Sequence, residues 1–181
     1  MRTPAPSDSL RVARALLRLS QRDVAKVAGI SQKTLGELEN NEASLIDKNL
    51  QLVDFYVSQG IEFVGDAQIG KVVGNAGAKW SAPVGPDATL GQKAKFRAEE
   101  QPINFVAARA LLKKTQAYVA VALDLSKATV QQLEGNVTSA PVYEKLKHWY
   151  EEQGVVFTGW GDVATGKFYG VGVRWWDKNT T

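Results

Sequence analysis

The chain has 181 residues, a formal net charge of +3 at pH 7 and a pI near 9.1. This length allows one large or two small domains, and the slight positive charge is only a weak indication of an acidic partner. The absence of cysteine excludes disulfides and thiolate chemistry. A single histidine, His148, excludes a histidine triad or a histidine metal cluster. We therefore expect no catalytic residues, no metal and no cofactor.

No run of residues approaches a membrane span, and the N-terminus lacks the apolar segment of a signal peptide. We therefore expect a cytoplasmic protein without a membrane partner. Along the chain, residues 1–6 are predicted to form a loose arm. A first helix is predicted to begin at a cap within residues 7–9 and to end near residue 19.

Residues 20–39, SQRDVAKVAGISQKTLGELE, predict two short helices joined by a tight turn. Val24 and Ala28 recur at helical spacing and lie on one face of the first of these helices. Gly29 ends it, because glycine reaches left-handed backbone angles without steric cost. Ser31 is a natural N-cap for the second helix, whose Leu35 points back to the same core. The pattern is that of a helix-turn-helix.

A further helix is predicted over residues 47–59, followed by short strands at 61–64 and 71–73. Residues 74–101 mix glycine, alanine, proline and charged residues without a clear period. This composition predicts an interdomain linker, with a short helical turn within residues 92–100.

The same pattern occurs a second time in the chain. Residues 115–134 align with residues 20–39 without a gap, every matching position lying 95 numbers further on. The match extends upstream, with ARALL at 13–17 and 108–112, and, after a one-residue deletion, downstream, with YVSQGIEFVG at 56–65 against YEEQGVVFTG at 150–159. Strand candidates at 155–158 and 167–175 close the second copy. Internal repetition at this period indicates a duplicated domain.

These residues resemble the Cro- and lambda-repressor-like helix-turn-helix family, also called the XRE family. Its pattern is a Ser/Thr-Gln opening, an alanine, a glycine turn, a Ser/Thr cap and a closing glutamate. The first repeat matches it at Ser20, Gln21, Ala25, Gly29, Ser31, Leu35 and Glu39. In the second repeat Asp124 replaces the turn glycine. Aspartate tolerates left-handed angles better than most residues, so we expect the turn to persist.

The resemblance implies a mainly α fold class, with two tandem lambda-repressor-like helix-turn-helix domains, each followed by a short β-hairpin. The predicted boundaries are 1–80 for the first domain, 81–101 for the linker and 102–181 for the second domain. In each domain the second helix of the motif would be the recognition helix, which enters the major groove of DNA.

The resemblance also implies which residues contact DNA. Glutamine pairs with adenine edges and lysine with guanine, glutamate accepts from cytosine, and small hydroxyls reach phosphate. The two sets differ, so half-sites read by both repeats should not form a perfect palindrome. The alternative is a solvated helix face, with the serines acting only as caps. The predicted DNA-binding residues are Gln21, Ser31, Gln32, Lys33, Thr34 and Glu37 in the first repeat, and Gln116, Ser126, Lys127, Thr129, Gln131 and Gln132 in the second.

The family pairs an arginine of its first helix with the closing glutamate as a structural ion pair. Here this implies Arg14 with Glu39 and Arg109 with Glu134, each pair separated by 25 residues. Further basic residues are predicted to steer the DNA backbone or to form a solvated face: Arg11, Arg18, Arg22, Lys113 and Lys114.

The resulting hypothesis is a sequence-specific, DNA-binding transcriptional regulator of bacterial, phage or plasmid type, acting as a repressor in the nucleoid. Its partner is a double-stranded DNA operator, and strand addition at the hairpins would allow a homodimer. The alternative is an antitoxin-like or accessory regulator in which one repeat binds DNA and the other binds a protein. An enzyme is disfavoured. Residues 161–167, GDVATGK, have P-loop spacing, but Phe168 and a glycine-rich strand follow them.

Overall fold

The computed structural model describes residues 3–40, 45–66, 73–135 and 140–176. Helices take up 48% of these residues and strands 20%. Within the same ranges, no helix combines the length and the apolar character needed to cross a membrane. In chain order the elements are α1 (Ser7–Leu16), α2 (Gln21–Ala28), α3 (Gln32–Glu39), α4 (Ile46–Ser58), β1 (Ile61–Asp66), β2 (Gly74–Trp80), α5 (Leu90–Lys93), β3 (Ala98–Glu99), α6 (Phe105–Leu111), α7 (Gln116–Ala122), α8 (Lys127–Glu134), α9 (Ala140–Glu152), β4 (Val155–Asp162) and β5 (Lys167–Trp175).

We refer to α1–α4 as the first helical unit and to α6–α9 as the second. Helices α2, α3, α7 and α8 each follow a serine or threonine whose side chain accepts a hydrogen bond from a backbone amide: Ser20, Ser31, Thr115 and Ser126. Each such cap contributes about 1 kcal/mol to helix stability. The turn between the capped helices is also kept in both units. Gly29 has a φ of +68° and Asp124 has a φ of +52°, so aspartate adopts the left-handed conformation that the turn needs.

The described strands form one antiparallel sheet around β5. Strand β4 pairs along β5 from end to end, whereas β2 and β3 pair with successive stretches of it. Strand β1 pairs with β2 as a hairpin. The two hairpins β1–β2 and β4–β5 are therefore joined through β2 and β5.

The register between β2 and β5 is symmetric with respect to the two repeats. Ala78 pairs with Val173, which is its counterpart when the two hairpins are aligned on Trp80 and Trp175, the strand partners of Ile61 and Val155. On either side of this pair, Gly77 pairs with Arg174 and Lys79 pairs with Gly172. Gly172 is the counterpart of Gly77, and Arg174 is the counterpart of Lys79. A local pseudo-two-fold axis therefore passes between Ala78 and Val173.

This strand pairing depends on glycine at two equivalent positions. A Cβ on Gly77 would overlap the carbonyl oxygen of Val173 and the Cα of Arg174. A Cβ on Gly172 would overlap the carbonyl oxygen of Ala78 in the same way. Because the obstructing atoms belong to the backbone, no side-chain rearrangement can relieve the overlap.

The joined sheet differs from the separate hairpins that the sequence predicts. Strand β2, with the sequence GNAGAKW, occupies residues whose composition suggests a linker but which the predicted boundaries place at the end of the first domain. The predicted strand at 71–73 falls largely outside the described residues. Sequence patterns miss β2 because it lacks β-branched residues. It is stabilised by pairing on both sides, with β1 and with β5. Residues 81–101, also predicted as linker, contain α5 and β3, and β3 pairs with β5.

The helices cover this sheet with a continuous core. Helix α1 contacts α6 as well as β1, β2 and β5. Buried apolar side chains of both units belong to a single cluster, which includes Leu10 and Leu16 of α1, Trp80 of β2 and Leu111 of α6. The two units are therefore held together by apolar burial and by strand pairing.

A buried ion pair fastens the segment between the units to the β4–β5 turn. The Lys93 Nζ lies 3.0 Å from the Asp162 Oδ1, with the two side chains 8% and 5% exposed. The Thr165 hydroxyl donates to the Asp162 Oδ2 at 2.7 Å. The hydrogen bonds from Thr165 and then Lys93 lower the pKa of Asp162 below its ordinary value of 3.8.

Replacing Asp162 with asparagine is expected to lower the melting temperature at pH 7 and to have less effect in acid. A carboxyl group whose pKa is lower in the folded state stabilises the fold above its unfolded pKa. That contribution is lost as the pH falls through the folded value. The difference between wild type and Asp162→Asn should therefore shrink below about pH 3.8. Thermal melts from pH 7 to pH 3 test this, with the exposed Asp87→Asn as control. A constant difference would contradict it.

Candidate nucleic-acid interface

Helices α2 and α3 meet at the turn formed by Gly29. Gln51 of α4 donates from its side-chain amide to the Ala28 carbonyl at 2.8 Å, which satisfies the end of α2. Leu35 and Leu38 of α3 are buried. The opposite face of α3 is consequently open to solvent.

The outward face of α3 carries most of the residues that the sequence predicts to contact DNA. Gln32 and Lys33 are exposed, and Thr34 and Glu37 are half-buried. The Lys33 Nζ lies 3.8 Å from the Glu37 Oε1, and the Lys33 side chain is 87% exposed. An exposed pair of this kind contributes little to stability, so Lys33 is free to exchange Glu37 for another partner. Ser31 accepts from the Thr34 amide at 2.9 Å and serves as the cap.

Glu39, at the end of α3, receives hydrogen bonds from two other helices. Arg14 donates from Nε to Oε1 at 2.6 Å and from Nη2 to Oε2 at 2.9 Å. Gln21, at the start of α2, donates from Nε2 to Oε2 at 2.8 Å. The Glu39 side chain is only 2% exposed, so this arrangement locks α1, α2 and α3 together at a buried carboxylate.

A protein-family model described as Helix-turn-helix matches residues 10–53, from α1 to the middle of α4. Residues 10–53 are a helix-turn-helix domain of the XRE-like type. Such a domain indicates a DNA-binding transcription regulator and is typically non-enzymatic. No curated protein and no solved structure matches the chain.

The second helical unit repeats the bonding of the helix-turn-helix domain. Arg109 donates to Glu134 from Nε at 2.5 Å and from Nη2 at 3.1 Å. Gln116 donates from Nε2 to the same carboxylate at 2.7 Å. The side-chain amide of Gln131 donates to the Gln116 Oε1 at 3.3 Å. The domain has no counterpart of this last bond because Gly36 stands at the equivalent position.

Helix α8 also presents polar residues to solvent. Lys127, Gln131 and Gln132 are exposed and Thr129 is half-buried, while Val130 and Leu133 point inward. Ser126 caps the helix by accepting from the Thr129 amide at 3.0 Å. The outward face of α8 therefore resembles that of α3 in exposure but differs from it in residue types.

The surroundings of both ion pairs favour charged arginines and neutral neighbouring tyrosines. Burial opposes the charge of Arg14 and Arg109, but the hydrogen bonds and charge of the paired glutamates outweigh it and raise each guanidinium pKa. Tyr56 and Tyr150 are fully buried. Burial, and then the nearby glutamate charge, raises the pKa of both tyrosines. In the described part of the chain, neither tyrosine hydroxyl has a hydrogen-bond partner.

Two arginines that the sequence predicts as DNA-steering or solvated charges instead connect the units. Arg11 donates from Nη1 to the carbonyl of Glu39 at 2.5 Å and from Nε to the carbonyl of Ala110, in α6, at 3.1 Å. Arg18 donates from Nη2 to the carbonyl of Glu134 at 3.0 Å. Glu39 and Glu134 are the last residues of α3 and α8, so both helices are held at their C-terminal ends.

Sequence reasoning missed these two bridges for a physical reason. The acceptors are backbone carbonyls, which every residue carries, and the bridges to the second unit span 99 and 116 residues. No local pattern marks such a partner. The repeat alignment gives one indication of a special role for Arg11. Val106 stands at the equivalent position, so the second unit lacks this arginine.

Proposed function

We propose that this protein is a sequence-specific transcriptional regulator, acting as a repressor, that uses both helical units of one chain on adjacent half-sites of a DNA operator. In this proposal α3 and α8 are the two recognition helices. Occupation of a promoter by the protein would then block transcription.

The pair of arginine bridges carries this proposal. Arg11, in α1, binds the last carbonyl of α3. Arg18, two residues after the end of α1, binds the last carbonyl of α8. The relative orientation of the two helices is thus set by short hydrogen bonds and by a shared sheet, not by a flexible connection. Fixed spacing is what two-headed readout requires, because successive major grooves recur about every 34 Å, or about ten base pairs.

The exposed residues of the two helices supply the chemistry for this readout. Lysine matches guanine, glutamine matches adenine, and glutamate accepts from cytosine. Because the two sets are unlike, the two half-sites should differ in sequence. The proposed base contacts are Gln32, Lys33 and Glu37 on α3, and Lys127, Gln131 and Gln132 on α8. The proposed phosphate contacts are Gln21, Ser31, Thr34, Gln116, Ser126 and Thr129.

The double variant Lys33→Ala and Lys127→Ala is expected to lose specific binding while remaining folded. Each lysine is exposed, and each lost base contact should cost about 1–3 kcal/mol. The two losses together should weaken operator binding by at least about thirtyfold. Fluorescence anisotropy measures the effect, with an operator selected from a random DNA pool and a scrambled duplex of the same length.

A matched control for this double variant is Lys95→Ala with Lys147→Ala. Lys95 is exposed beside α5, and Lys147 lies on α9 near Glu144 and Glu151, away from both proposed recognition helices. The control should bind the operator as wild type does. Unchanged operator affinity in the Lys33 and Lys127 variant would refute readout by these helices.

One observation favours a second candidate, in which the second unit binds a protein partner. Helix α7 exposes Tyr118 and Val121, at 50% and 83%. At the equivalent positions α2 carries the charged residues Asp23 and Lys26. An apolar face of this kind suits protein contact better than phosphate contact. In this candidate, Lys127→Ala alone would leave DNA affinity unchanged.

Footprinting and stoichiometry on DNA selected from a random pool separate the two candidates. One chain protecting two unlike half-sites about one turn apart supports the two-headed regulator. Two chains on a palindrome, with one unit protecting each half, support the second candidate. Strands β1 and β4 each pair with one neighbour in the described sheet, so a homodimer through strand addition remains a prediction that the same measurement tests.

A further inference from the structure

A basic cleft lies between the C-terminal part of α1 and that of α6. It has a volume of about 500 Å³, and we call it the junction cleft. Among the residues that the structure describes, the lining includes no acidic side chain and six cationic ones: Arg11, Arg14, Arg18, Arg109, Lys113 and Lys114. Equivalent positions of the two units contribute on both sides, so the cleft follows the pseudo-two-fold arrangement of the sheet.

Only two of these six cations form an ion pair within the described residues. Arg14 and Arg109 are paired with their buried glutamates. Of the other four, Arg11 and Arg18 donate to backbone carbonyls, and within the described part of the chain Lys113 and Lys114 form no ion pair. Lys113 is exposed and has no side-chain hydrogen bond there, and the Lys114 Nζ lies 4.0 Å from the centre of the Tyr118 ring. Clustered cations without carboxylates favour a polyanionic ligand.

The backbone places one cation of each unit at the same helix end. Arg18 has a φ of +54° and Lys113, its counterpart in the repeat, has a φ of +53°. This left-handed angle ends α1 and α6, whose C-termini are closed by bonds from the Leu19 amide to the Arg14 carbonyl and from the Lys114 amide to the Arg109 carbonyl. Both units carry a cation at this position, where glycine or asparagine would fit with less strain.

The location of the junction cleft indicates which polyanion would reach it. Ser20 and Thr115, which cap α2 and α7, also line it. Each immediately precedes a glutamine, Gln21 or Gln116, to which the proposed function assigns a phosphate contact. The cleft therefore lies between the two ends of the protein that would approach the DNA backbone.

We propose that the junction cleft binds backbone phosphates of the spacer between the two half-sites. This inference rests on the proposed function and adds a third, sequence-independent contact to the two recognition helices. Phosphate contacts of this kind position a protein on the duplex without carrying sequence information. They also add to the salt dependence of binding, because each neutralised phosphate releases counterions.

The test is the salt dependence of operator binding by Lys113→Asn, a variant that removes the charge at a position whose backbone angles suit asparagine. Each lost phosphate contact should reduce the slope of log K against log salt by about 0.9. When the salt rises from 50 to 200 mM, the fold-loss in affinity should therefore be about 3.5 times smaller for the variant than for wild type. Its preference for the selected operator over scrambled DNA should remain unchanged. Lys95→Asn, on an exposed lysine away from the junction cleft, should keep the wild-type slope.

Neutral methylphosphonate linkages at the spacer provide a second measurement. They should weaken binding by wild type and have little further effect on Lys113→Asn. A wild-type slope in Lys113→Asn, or full sensitivity of that variant to spacer methylphosphonates, would overturn the inference while leaving the proposed function intact.

Titration of the free protein with pyrophosphate tests whether the cleft binds a free phosphate anion in place of DNA. Binding of pyrophosphate combined with a wild-type DNA slope in Lys113→Asn would assign the cleft to a small anion and would also overturn the inference. If wild type selects no DNA, the proposed function and the inference both fail.

Discussion

Alanine at Gly172 is expected to destabilise the protein by about 3 kcal/mol or more, the upper range for overpacking of a closed interior. The added Cβ would overlap the backbone of Ala78 and Lys79 in the neighbouring strand. Relief requires β2 and β5 to separate, which would undo the pairing that joins the two hairpins. Gly77→Ala should have a similar effect, because the same overlap occurs on the other side of the pseudo-two-fold axis. Urea denaturation measures the free energy of unfolding.

Gly74→Ala is the matched control for this prediction. Gly74 belongs to the same strand β2, and a Cβ there would meet no atom of the described residues within 4 Å. Its free energy of unfolding should stay within about 0.5 kcal/mol of wild type. If Gly172→Ala were as stable as Gly74→Ala, the β2–β5 pairing would not exist in solution. The fixed geometry on which the two-headed readout depends would then be lost as well.

Removal of the Glu39 carboxylate is the second large effect that we expect. Glu39→Ala would leave Arg14 without its partner and Gln21 without its acceptor, and would disconnect α1 and α2 from α3. Breaking a buried ion pair from one side costs about 3–5 kcal/mol. Arg14 is 24% exposed, so water can partly replace the lost carboxylate and the lower end, about 3 kcal/mol, is expected. Denaturation measures stability, and operator binding should weaken with it because α3 is no longer braced.

Glu37→Ala provides the control on the same helix. Glu37 is 31% exposed and its contact with Lys33 is 3.8 Å long, so its removal should cost no more than about 0.5 kcal/mol. A second variant separates charge from packing. Arg14→Met combined with Glu39→Leu should recover part of the loss, because no charge is then left buried alone. A small effect of Glu39→Ala, equal to that of Glu37→Ala, would show that the ion pair contributes nothing to the fold.

The helix-turn-helix at residues 20–39 could be predicted from the sequence and is confirmed by the family match over residues 10–53. Its signals are local: apolar residues at helical spacing, Gly29 at a left-handed turn, and Ser31 as a cap. The pairing of Arg14 with Glu39 depended on the family resemblance, and the structure brings these two side chains together. The assignment of individual bases and phosphates to residues remains a prediction, because it concerns a ligand and not the fold.

The relation between the two halves could not be predicted in the same way. Strand β2 is composed of residues that read as a loop, and only its partners on both sides make it a strand. The Lys93–Asp162 pair joins residues 69 positions apart, in a segment whose composition suggests a linker. In both cases the stabilising group is distant in sequence and leaves no period or motif near the residue that it stabilises.

The sequence by itself determined the local elements and their repetition: the capped helices, the turns and the 95-residue spacing between equivalent positions. These follow from interactions within a few residues, which a linear pattern records. Only the tertiary structure decided that the two halves share one sheet, and that Arg11 and Arg18 hold both α3 and α8 at their last carbonyls. Backbone carbonyls are common to all residues and glycine is common in loops. The bridges to α6 and α8 and the close approach at Gly77 and Gly172 therefore become visible only when distant parts of the chain meet.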